Sequence, residues 1–210
     1  KIIAAVIVED LSTANELSSQ LMTKDKDNQE AYIVKLTYLY INKKFNKIKN
    51  LYSETKNKNK LIDFLFFNNN ELKNKSTISN SLIDIVTSSF SNAEQLSLNY
   101  NFLLFYTSLA KIMDENNDRA ILIKGELFQN VEQYTAATKI FDKITISSPY
   151  YLDAQRSLAI NYSYDYEYDD ATKNIKIILE KNDNNYSLKK ILDDFYRVKK
   201  KYELAIPIYT

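Results

Sequence analysis

The residue types that carry most enzyme chemistry are missing from this sequence. It has no histidine, so no side chain titrates of its own accord near neutrality as both acid and base, and no imidazole can ligate a metal. It has no cysteine either, which removes thiolate nucleophiles, disulfides and thiolate zinc sites, and leaves the redox compartment undetermined. A phosphate-cradling loop needs several glycines in one turn, and Gly125 stands alone inside a stretch of helical pattern. Carboxylates do cluster at Asp165, Glu167, Asp169 and Asp170, in the manner of a calcium loop. The sixth and twelfth positions of such a loop would be Asp170 and Lys176, where a calcium-binding hand needs Gly and Glu. The cluster therefore reads as a solvated turn. No catalytic residue, cofactor, metal site or small-molecule substrate is expected.

Two other groups of side chains could serve recognition. Lysines gather at Lys43-Lys44, between Lys56 and Lys60, and from Lys199 to Lys201, all in polar stretches that read as turns. The 28 basic and 27 acidic residues leave a net charge of +1, with no long-range field to concentrate phosphates, so nucleic acid is disfavoured as a partner. Tyrosines run through Tyr162, Tyr164, Tyr166 and Tyr168. The second and third of these are surplus to the packing pattern described below, which makes them the better candidates for partner contact.

The elements that position these side chains are helices. A chain of 210 residues with 45% hydrophobic content can bury a substantial core, and one glycine with two prolines cannot supply the tight turns of a β sandwich or barrel. The apolar opening from Ile2 to Val8 is too short to span a membrane and reads as a buried helix end. A chain that opens on Lys1 and not on Met is expected of a mature form or an excised piece, and the compartment, cytoplasmic or periplasmic, stays open. A helix carrying Ala14, Leu17 and Leu21 should close at Asp25 to Asn28, followed by a degenerate pair carrying Tyr32, Leu36, Leu39 and then Phe45, Ile48 and Tyr52. The middle is irregular: a polar loop around Lys56 to Lys60, a short helix Leu61 to Phe67, a break at Asn68 to Asn70, a helix from about Thr77 to Phe90, and a long helix over about 93–116. In the long helix Leu96, Tyr100, Leu103, Leu104, Thr107 and Ala110 recur at helical spacing.

The C-terminal half repeats itself. Phe128, Tyr162 and Tyr196 stand 34 residues apart, as do Tyr134, Tyr168 and Tyr202, then Ala137, Ala171 and Ala205, and Phe141, Ile175 and Tyr209. Gly125 and Ala159 form a column of small residues, with Asp193 in the next place. Leu11 and Phe45 share the same spacing near the start, whereas 89 residues separate Phe45 from Tyr134, which is no multiple of it. The most complete copy runs from Asp118 to Tyr151, with Gly125, Phe128, Tyr134, Ala137, Phe141 and Pro149 at its marked positions. In this pattern the sequence resembles the tetratricopeptide repeat family, as a divergent, bacterial-looking member.

The resemblance implies an all-α fold, a right-handed solenoid of antiparallel helix pairs. It organises 1–210 as one repeat domain: degenerate repeats over about 1–54, irregular helices over about 55–117, then copies at 118–151, 152–185 and a partial one at 186–210. The packing columns imply close helix contact at Gly125, Ala137, Ala159, Ala171 and Ala205, and aromatic filling at Phe128, Tyr134, Phe141, Tyr162, Tyr168, Tyr196 and Tyr202. Asp193 should loosen its helix pair. Ser148 before Pro149 reads as a helix cap with proline at the first helical position, and Pro207 should kink or end the last helix. The resemblance further implies a concave groove lined by first helices, with Arg119, Glu126, Gln129, Asp153, Arg156, Tyr164, Lys190, Asp194 and Arg197 as candidate partner-facing residues. A family clamp for a peptide C-terminal carboxylate would draw on Arg156 and Lys190, but Ile160 and Asp194 stand where it needs amides. The expected role is a non-catalytic scaffold for a protein or peptide. Two alternatives are an accessory region of a larger assembly or multidomain enzyme, and an RNA-binding helical repeat.

Overall fold

The computed structural model describes residues 1–55, 60–89, 93–164, 168–181 and 186–205. The expected loop from Lys56 to Lys60 lies largely outside them, as do Tyr166 and Pro207. Within them the chain is helical, with helices packed in sequential pairs: α1 (Ile2–Ile7), α2 (Leu11–Lys24), α3 (Gln29–Ile41), α4 (Phe45–Thr55), α5 (Lys60–Phe66), α6 (Lys75–Ser89), α7 (Ala93–Met113), α8 (Asp118–Asn130), α9 (Tyr134–Phe141), α10 (Tyr151–Tyr164), α11 (Tyr168–Lys181), α12 (Tyr186–Val198) and α13 (Tyr202–Ala205). A two-residue hairpin, β1 (Phe67–Asn68) and β2 (Glu71–Leu72), follows α5. The contacts divide the chain into two compact units, Lys1–Ala120 and Ile121–Thr210.

Short polar side chains start several helices. Asp10, Asn28, Asn74 and Asn117 each accept the backbone N–H three residues on, at 3.0, 3.0, 2.8 and 3.1 Å, so each satisfies a donor that the first helical turn leaves orphaned. The turns inside the pairs are more uniform than the sequence suggests. Glu9, Lys43, Glu132 and Lys200 all have positive φ, from 55° to 63°, and each stands two residues before a second helix. At each of the four, the residue's own N–H bonds the carbonyl three back, and the next N–H bonds the carbonyl five back, as in Lys43 to Tyr40 and Lys44 to Leu39 at 2.9 and 2.8 Å. That is the Schellman closure of a helix C-terminus, here made without glycine. The second helices α2, α4, α9, α11 and α13 begin at Leu11, Phe45, Tyr134, Tyr168 and Tyr202, so the repeat columns mark where each returning helix starts.

In the first unit the break at Asn68 to Asn70 is a hairpin. Phe67 pairs with Leu72 and Asn68 with Glu71, while Asn69 and Asn70 take φ of 49° and 69°, the conformation that a two-residue turn of matching twist demands. Phe67 stacks on Tyr52 of α4 at 3.7 Å, and the Tyr52 hydroxyl donates to Asn70 Oδ1 at 3.3 Å. The long helix departs further from expectation. Its residues from Leu103 to Ala110 are all buried, so over that stretch it is enclosed on every side and does not present one apolar face. α7 packs against α6, and also against α1 and α3. The Lys111 ammonium reaches both carboxylate oxygens of Glu9, at 2.8 and 2.9 Å.

In the second unit the packing joins consecutive helices: α9 with α10, α10 with α11, α11 with α12, and α12 with α13. One apolar cluster gathers Ile121, Leu122, Ala137, Phe141, Ile144, Ala154 and Leu158, with Phe128 packed against it. A second gathers Ala159, Ala171, Ile175, Ile178, Leu188, Leu192, Phe195, Tyr196 and Ala205. Tyr162 packs against both and links them.

Some packing positions differ in detail from the column reading. A Cβ on Gly125 would run into the Phe141 ring, so the phenylalanine fills space over the glycine. Pro149 is exposed in a turn, and α10 starts at Tyr151 rather than at the proline; Ser148 Oγ accepts the Tyr150 N–H at 3.2 Å. Tyr202 is 56% exposed, while Tyr134, at the head of the same column, is covered by Tyr164 from the following pair. No described helix follows α13 to do the same. Asp193 is buried in its small-residue column and keeps its charge paired, its Oδ2 taking Arg197 Nε at 2.8 Å.

Candidate functional site

The first helices of the second unit carry most of the polar side chains that the repeat pattern leaves outside the packing. Glu126 on α8 lies within electrostatic reach of Asp153 and Arg156 on α10. Arg156 pairs with Asp153 one turn away at 3.3 Å, and both remain about half exposed. Burial pushes the Glu126 carboxyl above its ordinary value; the Arg156 charge opposes that rise and Asp153 adds to it. The Arg156–Asp153 pair and Glu126 thus place charges of both signs on two first helices. Gln129 on α8 is half-buried.

Tyr164 lies at the end of α10, 56% exposed, with its ring stacked on Tyr134 at 4.3 Å and only 5° from parallel. The stack holds the ring in one orientation while leaving more than half its surface to solvent. Because α10 is helical throughout, Asp153, Ile160 and Tyr164 fall within about 40° on one stripe. An acid, an apolar side chain and an aromatic thus share a face. Asn161, fully buried, donates to the Tyr134 carbonyl and to Thr138 Oγ1, fixing α10 on α9.

The remaining candidates fall apart from this group. Lys190 and Asp194 on α12 are exposed. Arg197 is tied to Asp193 on its own helix. Arg119 belongs to the first unit, where its guanidinium pairs with Asp84 at 2.8 Å and reaches Thr87 at 3.4 Å, both on α6. Of the acidic cluster, Asp165 and Glu167 lie outside the described residues, and Asp169 takes Lys199 at 3.4 Å. Among the described residues no group of three or more acids could hold a metal ion, and no helix is long and apolar enough to cross a membrane.

No family model and no curated relative matches the sequence. Several solved structures are similar to it. MamA AMB-1 aligns at 17% identity with a TM-score of 0.46, over 64% of this chain and 79% of that one. YrrB, described as a TPR protein with an unusual peptide-binding site, aligns at 15% identity and 0.40, over 95% and 88%. A tetratricopeptide repeat protein from Parabacteroides merdae aligns at 18% identity and 0.44, over 99% and 74%. The structural neighbours are tetratricopeptide repeat proteins.

Proposed function

We propose that this chain is a non-catalytic scaffold, and that it holds a protein segment on the first helices of its C-terminal unit. The observation that carries the reading is the α10 stripe. A rigidly stacked, solvent-facing Tyr164 shares it with Asp153, while Arg156 and Glu126 add charges of both signs alongside. An aromatic already fixed by stacking loses little rotamer freedom when a partner covers it, which is what a binding anchor requires. The mixed charges would set the register of the bound segment rather than its affinity. Gln129 on α8 and Lys190 and Asp194 on α12 would extend the surface at either side.

A second reading, an accessory part of a larger assembly, draws on the last described helix. Tyr202 and Leu204 are 56% and 44% exposed there, an apolar edge suited to being covered.

The test is capture from a lysate of the source organism by the intact chain and by a variant carrying Arg156→Glu, Tyr164→Ala and Lys190→Glu, both first shown equally helical and equally stable. A protein retained by the intact chain and lost by the variant is the expected result. The same proteins retained by both would end the assignment to this face.

A further inference from the structure

The first unit holds a cation that its own fold does not neutralise. Lys35 is the sole charged residue beyond the first turn of α3, set between Val34 and Leu36 in a helix otherwise apolar or tyrosine-rich. Its ammonium is held by neutral oxygens, Asn15 Oδ1 at 3.0 Å and Ser19 Oγ at 2.9 Å on α2. Lys35 lines a cleft of about 310 Å³ between α3 and α4, together with Tyr38, Lys44, Lys47, Asn50 and Glu54. None of the three lysines is paired with a carboxylate among the described residues. Burial and the nearby charges of Lys47 and Lys44 depress the Lys35 ammonium below its ordinary value, as expected of positive charge gathered without a counter-charge.

Chains seldom half-bury an ammonium against amide and hydroxyl oxygens alone, because the desolvated charge is offset only in part. Here the geometry goes further. The ammonium is oriented from behind by α2, Lys44 is set over the Tyr38 ring at 5.9 Å, and Lys47 is one turn along α4. Leu39 and Leu51 add apolar lining. Glu54 lies in the same lining and is the one acid there, so the cleft is cationic but not uniformly so. Its volume suits a side chain and its neighbours, not a duplex.

We infer that the α3–α4 cleft is a binding site for the carboxylates of an acidic peptide segment, with Lys35, Lys44 and Lys47 as the cationic contacts and Leu39 and Leu51 receiving an adjacent apolar side chain. The inference rests on the reading that the chain binds protein, and it adds a second contact surface of defined chemistry, separate from the α10 stripe.

The experiment is fluorescence anisotropy with a fluorescein-labelled peptide of alternating glutamate and leucine. It is titrated with the intact chain, with Lys44→Glu/Lys47→Glu, and with Lys139→Glu/Lys143→Glu. The last pair lies exposed in the other unit and changes the net charge equally. Lys44→Glu/Lys47→Glu should weaken binding roughly tenfold or more, the other pair no more than about twofold, and affinity should fall as salt rises. Equal losses in both double variants, or no binding by the intact chain, would overturn the site. So would displacement of the peptide by sodium phosphate well beyond that by sodium acetate at matched ionic strength, since that pattern marks a phosphoryl site. If the peptide fails on the cleft while the Arg156/Tyr164/Lys190 variant still loses its partner, the cleft falls and the protein-binding reading stands.

Discussion

The two units are built from the same helix pairs and closed in different ways. In the C-terminal unit, contacts run from each helix to the next, and two apolar clusters joined by Tyr162 make up the described core. In the N-terminal unit, α7 packs on α1 and α3 as well as on its own partner α6. A stack with only neighbour contacts has a stability that sums pair by pair, so it can open locally. A unit whose long helix touches elements far away in sequence loses that independence. A shared turn and a shared pair geometry do not fix the cooperativity of the whole; one long helix, enclosed from Leu103 to Ala110, is enough to change it.

The sharpest way to break this comparison is at α7. Phe105→Ala empties a fully buried position and should cost about 3–5 kcal/mol in a denaturant melt. Amide exchange should then quicken together in α1, α3 and α6. Exchange confined to α7 would show that the first unit is no more cooperative than the second. The matching change in the second unit is Gly125→Leu, which drives a side chain into the Phe141 ring and should cost about 1–3 kcal/mol through overpacking. Its effect on exchange should stay within α8, α9 and the adjoining helix.

A smaller effect tests what the units share. Lys43→Gly and Glu132→Gly each relieve a left-handed residue at the same point of the pair turn. Both should stabilise, by up to about 1 kcal/mol, as read in urea midpoints. Opposite signs in the two units would mean that the turn is not a common part. The smallest effect concerns Glu126. Its folded-state carboxyl titrates above the ordinary value, so its favourable contribution is present below the unfolded value and is lost as pH rises through the folded one. Glu126→Gln should therefore stabilise at neutral pH by less than about 1 kcal/mol, and the difference should vanish in acid melts.

How far the sequence could be read follows the same division. In the second unit the columns through Phe128, Tyr134 and Ala137 are filled by side chains whose size the pair geometry dictates, so the period and the pair order were both visible. The Schellman turns were hidden because Glu9, Lys43, Glu132 and Lys200 take the left-handed conformation without the glycine that would announce it. The enclosure of α7 was hidden too: Thr107 and Ser108 interrupt the apolar run, and a helix buried all round has no polar face for the periodicity to reveal. The partner-facing pattern read the exposure of Tyr164, Lys190 and Asp194 but could not see that Arg119 would be claimed by Asp84 or Arg197 by Asp193. In the cleft, the doublet Lys43-Lys44 passed for ordinary surface. The informative sign was Lys35, a single cation inside the apolar run of α3.

The contact between α1 and α7 also sets a timetable for synthesis. Glu9 and its partner Lys111 are separated by 102 residues, and at ribosomal rates of about 5–20 residues per second that interval is roughly 5–20 s. For that time the face of α1 that α7 will cover is exposed on the nascent chain, and for a shorter time that of α3, whereas each later pair can close as soon as its second helix emerges. The interval in which these helices most need a chaperone falls between the synthesis of α1 and that of α7.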